Sequence, residues 1–309
     1  MDLQENSFAC KMHLNSINII ERTGNTIMKI KFTKMHGCGN DYVYINGFTE
    51  KVPQEAKEEF VKKVSDRHFG IGSDGAIFIN PAKEADFEME MYNADGSRSE
   101  MCGNGMRCVG KYVYDYGLTD QKEFSVVSAG KIKYLTLTVD ENNKAVQIRV
   151  NMGSPILTPA EIPVIADGDN VVDEPIMVLD KEYKMTCVSM GNPHAVVFVD
   201  DVMSFPLNEV GPYFENHERF PNRTNTEFVQ VVDRGHIKMR VYERGTGETL
   251  ACGTGCCASA VACVLNGLTD TEVDVEVLGG VVHIEWNRDE NLVYMTGPGE
   301  TVFDGIIEI

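Results

Sequence analysis

The chain is poor in positive charge. Its 309 residues carry 28 Lys and Arg against 47 Asp and Glu, a formal net charge of −19. Such a surface repels nucleic acid and anionic membranes, and no basic block offsets it locally. Neither is expected as a partner. Long apolar runs are also missing. Ala195 to Val199 is one of the longest, far short of the ~18 residues a membrane span needs. The first residues include Asp2 and Glu5 and lack the basic, apolar, small-residue order of a secretory signal. No C-x-x-C pair and no H-E-x-x-H occurs, so zinc ranks well below thiol chemistry and no metal is expected. The nine Cys are odd in number and cluster in Gly-rich motifs rather than at framework spacings. That points to a reducing, cytoplasmic setting with chemically employed thiols.

What is present is ordinary globular protein: 43% hydrophobic and 24% charged residues. The length favours two domains. Residues 1–27 are polar and aperiodic, and read as an extension, disordered or non-native, ahead of a working start at Met28.

An internal repeat organises the rest. At an offset of 150 residues, Met91-Tyr-Asn-Ala-Asp-Gly96 aligns with Val241-Tyr-Glu-Arg-Gly-Thr246. Without a gap, Cys102-Gly-Asn-Gly105 falls on Cys252-Gly-Thr-Gly255, and Gly117-Leu-Thr-Asp120 on Gly267-Leu-Thr-Asp270. Gly130 meets Gly280. At an offset of 152, Gly39-Asn40 meets Gly191-Asn192 and Arg67 meets Arg219. Two similar domains follow, 28–150 and 151–297. Each half repeats one grammar. A strand follows a Gly-Asn turn, near Tyr42–Ile45 and Ala195–Phe198. A helix begins around Pro53 with Phe60, Val61 and Val64 on one face. Further strands include Ala76–Ile79 and Phe228–Val232. Then come a Cys-Gly motif and a helix, with Met106, Val109, Val113 and Tyr116 at helical spacing in the first copy. The second, Cys256 to Leu265, is apolar nearly all round and so is expected to be enclosed. Alternating strands, Ile132–Leu137 and Val281–Trp286, close each half. The fold class is α+β, two pseudo-symmetric domains, each a rolled, barrel-like sheet around a central helix.

Cys102 and Cys252 each precede a Gly-x-Gly at the start of a helix. Unpaired backbone N–H groups and the helix dipole there are expected to lower a thiol pKa and to bind a carboxylate. A single such Cys is more often core. Two at equivalent repeat positions favour a pair facing one cleft. Cys108, Cys256, Cys257 and Cys263 lie within helices and are expected to pack. Cys38 and Cys187 are expected to line strands, and Cys10 lies in the extension. Asn40, Asn93, Asn192 and Asn225 are each an ordinary turn residue. Together they offer neutral donors and acceptors for a zwitterion. Glu243-Arg244 is either a solvated pair or a clamp for ammonium and carboxylate. His194 is either a satisfied turn histidine or a group tuning a nearby thiolate. A dinucleotide site is a minor rival. Gly70-Ile-Gly-Ser-Asp-Gly75 has the spacing but is followed by a strand. Gly253-Thr-Gly-Cys-Cys-Ala258 opens a helix, with Asp274 at about the expected distance, yet its repeat copy loses the third small residue.

In combination, Met35-His-Gly-Cys-Gly-Asn-Asp41, Tyr92-Asn-Ala-Asp-Gly-Ser97, Cys102-Gly-Asn-Gly-Met-Arg-Cys108, Met190-Gly-Asn-Pro-His194, Arg240-Val-Tyr-Glu-Arg-Gly245 and Ala251-Cys-Gly-Thr-Gly255 resemble the diaminopimelate epimerase family, from Met28 to Ile309. The resemblance implies an amino-acid epimerase that needs no cofactor and is commonly a homodimer. It implies Cys102 and Cys252 as the acid/base pair, with His194 and Glu243 tuning the thiols. It implies substrate contacts from Asn40, Asn93, Gly103, Asn104, Asn192, Asn225, Glu243, Arg244, Gly253 and Thr254. It also implies that residues 298–309 return to the first domain. Gly75 departs from it, standing where some members carry a substrate-contacting Gln. The substrate implied is diaminopimelate, LL and meso, in lysine and peptidoglycan precursor synthesis. Two rivals remain: a two-thiol racemase acting on proline-like acids, and a non-enzymatic amino-acid-binding or thiol-redox protein.

Overall fold

The computed structural model of the chain describes residues 20–22, 25–27, 29–99 and 102–308. The expectation for residues 1–27 lies mostly outside them. The described part, Ile20–Arg22 and Asn25–Ile27, forms its own two-stranded antiparallel sheet.

Each half winds one sheet around one helix, and the two halves use the same strand pairings. In the first half, Lys29–Gly37 pairs antiparallel with Asn40–Asn46, which runs parallel to Gly75–Pro81. Phe87–Asn93 follows antiparallel, then Glu123–Ser128 parallel to it, then Lys131–Val139 and Ala145–Gly153. In the second half, Lys181–Ser189, Pro193–Phe198, Asn225–Asp233, His236–Glu243, Glu272–Val277, Gly280–Asn287 and Leu292–Gly297 repeat that order and those directions. The two sheets join where Ala145–Gly153 pairs antiparallel with Leu292–Gly297. Each half also takes one outer strand. Glu174–Val178 pairs with Lys181–Ser189, and Glu300–Glu308, from the far end of the chain, pairs with Lys29–Gly37. The chain end thus supplies to the first half what residues 174–178 supply to the second.

Among the described residues four α-helices accompany the sheets: α1 (Lys57–Ser65), α2 (Gly103–Asp115), α3 (Leu207–Glu215) and α4 (Gly253–Leu265). Helices α2 and α4 are the central ones. Met106, Val109 and Val113 are buried as their spacing requires. Tyr116 falls beyond the end of α2, 41% exposed and stacked on Tyr112. In α4 every residue from Gly255 to Cys263 is buried, so no face is left for charge. Helix α3 repeats α1 but escapes a reading by period, because Gly211 and Pro212 interrupt it. Gly211 is required by packing, since a Cβ there would lie 2.4 Å from the Tyr242 ring. Cys108, Cys256, Cys257 and Cys263 are buried in the helices and Cys187 in a strand. Cys38 sits at a positive φ of 51° in the turn between two strands rather than within one. No helix among the described residues is long and apolar enough to cross a membrane.

Candidate active site

The central helices begin at the same cavity. Cys102 is the N-cap of α2 and Cys252 the N-cap of α4, both in extended backbone. The Gly105 N–H donates to Cys102 Sγ at 3.3 Å, and the Gly255 N–H to Cys252 Sγ at 3.4 Å. A cysteine here does what a serine cap does, with sulfur as the acceptor. The two helix starts abut: a Cβ on Gly103 would stand 3.7 Å from the Gly253 Cα. Asn104 ties them, its Nδ2 donating to the Ala251 carbonyl at 3.1 Å. Glycine at 103 and 253 therefore lets two helix N-termini meet at one place.

The cavity measures about 1290 Å³. It is lined by Asn40, Asn93, Cys102, Gly103, Asn104, Asn192, Glu243, Cys252, Gly253 and Thr254 among the residues singled out from the sequence. Three others lie outside the lining. Asn225 is buried and spends its amide on backbone, donating to the Pro193 carbonyl and accepting from the Arg244 N–H, both at 2.9 Å. The Arg244 guanidinium donates to the Asn222 carbonyl at 3.1 Å and is not in the lining. His194 is fully buried at the start of the strand Pro193–Phe198, with both ring nitrogens engaged. Gly75 also lies outside the lining, with the Tyr92 carbonyl where a side chain would begin.

Each thiol has its own support. The Cys102 thiol donates to Asn40 Oδ1 at 3.1 Å. Asn40 is held in turn, its Nδ2 donating to Asp74 Oδ2 at 2.8 Å, and Asp74 is paired with Arg67 at 2.8 Å. Cys252 Sγ lies 3.5 Å from the Thr254 hydroxyl, which accepts from Asn192 Nδ2 at 3.3 Å. Asn192 Oδ1 faces His194 Nε2 at 3.1 Å, and His194 Nδ1 meets Glu227 Oε1 at 2.7 Å. A chain of contacts therefore runs from a buried carboxylate to the Cys252 sulfur. Glu227 Oε2 has no hydrogen-bond partner.

Sequence reasoning missed Glu227. Its strand, Asn225–Asp233, opens on three polar residues ahead of the apolar run from Phe228, so Glu227 reads as part of the preceding turn. The available signal was parity: Glu227 shares a face with Val229, which is buried. Arg67, Asp74, Thr249, Leu250 and Leu278 also line the cavity without having been singled out.

The electrostatics reverse one expectation. Helix N-termini were expected to lower both thiol pKa values. Both thiols are instead held above the ordinary value. At Cys102 burial pushes the thiol up, the Gly105 N–H counters it and the Glu243 carboxylate adds to the rise. At Cys252 burial again leads, and two carboxylates, Glu243 and Glu227, push the thiol well up. Removing a thiolate from water costs more than a few backbone N–H groups return. Glu243 feels the same burial, and its carboxyl is raised, while the Thr249 hydroxyl donates to it. The site as it stands keeps protons on its sulfurs. A ligand that brings positive charge would compensate the carboxylates.

Among the described residues no group of three or more His, Cys, Asp or Glu is placed to hold a metal ion. The fold is similar to solved structures at low identity. A phenazine biosynthesis protein of the PhzF family from Bacillus anthracis superposes with a TM-score of 0.66 at 16% identity, covering 91% of this chain and 99% of that one. A hydroxyproline epimerase from Agrobacterium vitis, solved with trans-4-hydroxy-L-proline, gives 0.64 at 13% identity, covering 91% of each. Sequence relatives lie much nearer. A diaminopimelate epimerase from Agathobacter rectalis is 60% identical over 287 residues, covering 91% of this chain and all of the relative. One from Acetivibrio thermocellus is 55% identical over 280 residues, covering 91% and 99%. The diaminopimelate epimerase family profile matches residues 32–158 and 186–302. The chain belongs to the diaminopimelate epimerase family.

Proposed function

We propose that this chain interconverts LL- and meso-diaminopimelate, with Cys102 and Cys252 as the acid/base pair and without a cofactor. The observation that carries the reading is the pairing of two N-cap cysteines on abutting helices at one cavity. Epimerising an α-carbon needs a base on one face and an acid on the other. A single base tends to return the proton to the side it came from. One thiol enters as thiolate and the other as thiol, and the two exchange states after turnover.

General acid/base catalysis is worth roughly 10²–10⁴-fold. The α-proton of an amino acid is too weakly acidic for that alone. In this reading the rest comes from oriented donors around the reacting carboxylate. The N–H groups at the starts of α2 and α4 and the side chains of Asn104 and Thr254 are those donors. Asn40, Asn93 and Asn192 supply neutral contacts to the zwitterion, and Glu243 takes the ammonium. That ammonium is the positive charge the buried carboxylates lack, so binding favours the ionised thiol. Arg244 and Asn225 reach the substrate by closure of the halves, which also expels water. The reaction belongs to lysine and peptidoglycan precursor synthesis in the cytoplasm, and the working form is a homodimer.

The test is proton NMR of the reduced protein with meso-diaminopimelate in D₂O, with no added cofactor. Loss of one α-proton signal with appearance of the LL isomer is the expected result. A silent spectrum from folded, reduced protein sinks the assignment. Sedimentation at micromolar concentration checks the dimer.

A further inference from the structure

Arg107 is a buried cation with no counter-ion among the described residues. It is 0% exposed and heads the largest fully buried side chains of the molecule. Its Nε donates to the Pro298 carbonyl at 3.0 Å. Its other two nitrogens face sulfur, Met295 Sδ at 3.3 Å and Cys38 Sγ at 3.5 Å. Among the described residues no carboxylate lies within ion-pair distance, in a chain with 47 of them. Burying a guanidinium with one carbonyl and two weak acceptors is costly, and an apolar side chain of similar volume would relieve that cost.

The surroundings are nonetheless shaped to hold it. A Cβ on Gly37 would come within 3.1 Å of Nη2, and one on Gly297 within 3.1 Å of Nε. Two glycines thus leave the channel that the guanidinium occupies. The channel lies where the first half, through Cys38, meets the strand joining the two halves, through Met295 and Pro298. Arg107 is outside the cavity lining, so it does not touch a substrate there. It stands on α2 five residues after Cys102, and Met295, which it touches, packs against the start of that helix, where a Cβ on Gly103 would meet Met295 Cε at 2.8 Å. The repeat partner of Arg107 is Cys257, so one cation serves a place where the other half has none.

We propose that Arg107 is a positioning residue whose uncompensated charge supports negative charge at Cys102. Among the described residues, the other ionisable groups around Cys102 are Glu243 and Cys252 from the second half, Asp74 behind Asn40, Tyr42, Tyr44 and, on its own helix, Cys108. None of these is cationic. Arg67 reaches the same cavity but is committed to Asp41 and Asp74. A carboxylate partner would cancel the field that Arg107 exerts, and its absence keeps that field intact in a low-dielectric interior. At Cys102 burial and the Glu243 carboxylate push the thiol up and the guanidinium works against them, as it does against burial at Cys38, which it touches, and at Cys108, Cys256 and Cys257.

This inference rests on the two-thiol reading, and its test reads the thiol itself. Iodoacetamide labelling of Cys102 across pH, quantified by peptide mass spectrometry on the full chain without substrate, compares the unaltered chain with R107M and R107K. R107M is expected to label Cys102 about threefold more slowly below its titration range, because the thiolate is the nucleophile. R107K is expected to label at the rate of the unaltered chain, since it keeps a cation. R107M is expected to lower kcat with little change in KM, and to melt no earlier. Equal labelling of Cys102 in folded R107M and the unaltered chain overturns the proposal. So does an equal fall in R107M and R107K, which would make shape rather than charge responsible. If R107M does not fold, R107Q takes its place. If no neutral replacement folds, Arg107 is a structural tie and the proposal fails. A silent epimerisation assay with the labelling difference intact condemns the substrate reading and leaves this one standing.

Discussion

The two halves are built on one plan and differ where their thiols are supported. In the first half Tyr42 stands two residues after the Gly-Asn turn, and in the second His194 does. Across the parallel pair, Gly75 answers to Asn225 and Ile77 to Glu227. The consequence appears beneath the helix caps. A Cβ on Gly105 would meet the Ile77 methyl at 2.8 Å, while one on Gly255 would meet the Glu227 carboxylate at 2.7 Å. Cys102 thus rests on an apolar floor with Asn40 at its side, and Cys252 rests on a buried His–Glu pair. Pseudo-symmetry gives two acids for two faces of a carbon. Asymmetry below them gives the thiols different neighbours: of the two carboxylates, Glu243 pushes up both, and Glu227 pushes up Cys252 alone.

The largest effect should come from removing either sulfur. C102A and C252A are each expected to cost about 10³-fold or more in epimerisation, measured by α-proton exchange in D₂O. Turnover at the normal rate by either variant would end the pairing of the halves. Next comes the floor. E227L strips His194 of its partner and is expected to cost about 3 kcal/mol in urea denaturation. I77V, at the equivalent place, should cost about 1 kcal/mol. Similar losses for the two would show that the His–Glu pair is no more than packing.

The cap glycines sharpen the same contrast. G255A drives a methyl onto a buried carboxylate and should cost about 2 kcal/mol, whereas G105A meets the flexible end of Ile77 and should cost under about 1 kcal/mol. Thermal melts of the two proteins decide it. The smallest effect concerns the carboxylate shared by both halves. Glu243 raises both thiols, so removing its negative charge favours the thiolate. E243Q is expected to speed iodoacetamide labelling of Cys102 and Cys252 by about threefold near neutral pH, even as it weakens substrate binding. In the unaltered chain, labelling of Cys102 should still be climbing with pH near 9, because the thiol lies above its ordinary value of 9.0. A plateau reached near pH 7 would contradict the dominance of burial.

Much of this was legible from residues alone. The repeat located both cysteines, both central helices and the Gly-Asn turns, because glycine and helix-cap chemistry act within a few residues of chain. Ten of the thirteen site positions named from sequence line the cavity. Asn225, Arg244 and His194 lie outside the lining, the first and last buried and Arg244 exposed, since the direction of a side chain depends on a neighbouring strand that sequence does not reveal. Glu227 escaped notice for the same reason: its partner His194 lies 33 residues away. Arg107 stood within a quoted motif, and nothing local announces that a guanidinium will be enclosed by glycines from positions 37 and 297.

The sequence by itself determined the elements, their duplication and the placing of a thiol at the start of each central helix, all short-range properties of backbone and period. Tertiary structure decided the electrostatics. It set which carboxylates face the thiols, how dry they are, and that one guanidinium would be enclosed with no carboxylate at ion-pair distance among the described residues. Those quantities depend on distance through space and on the exclusion of water, and both exist only once the two halves have closed their sheets around α2 and α4.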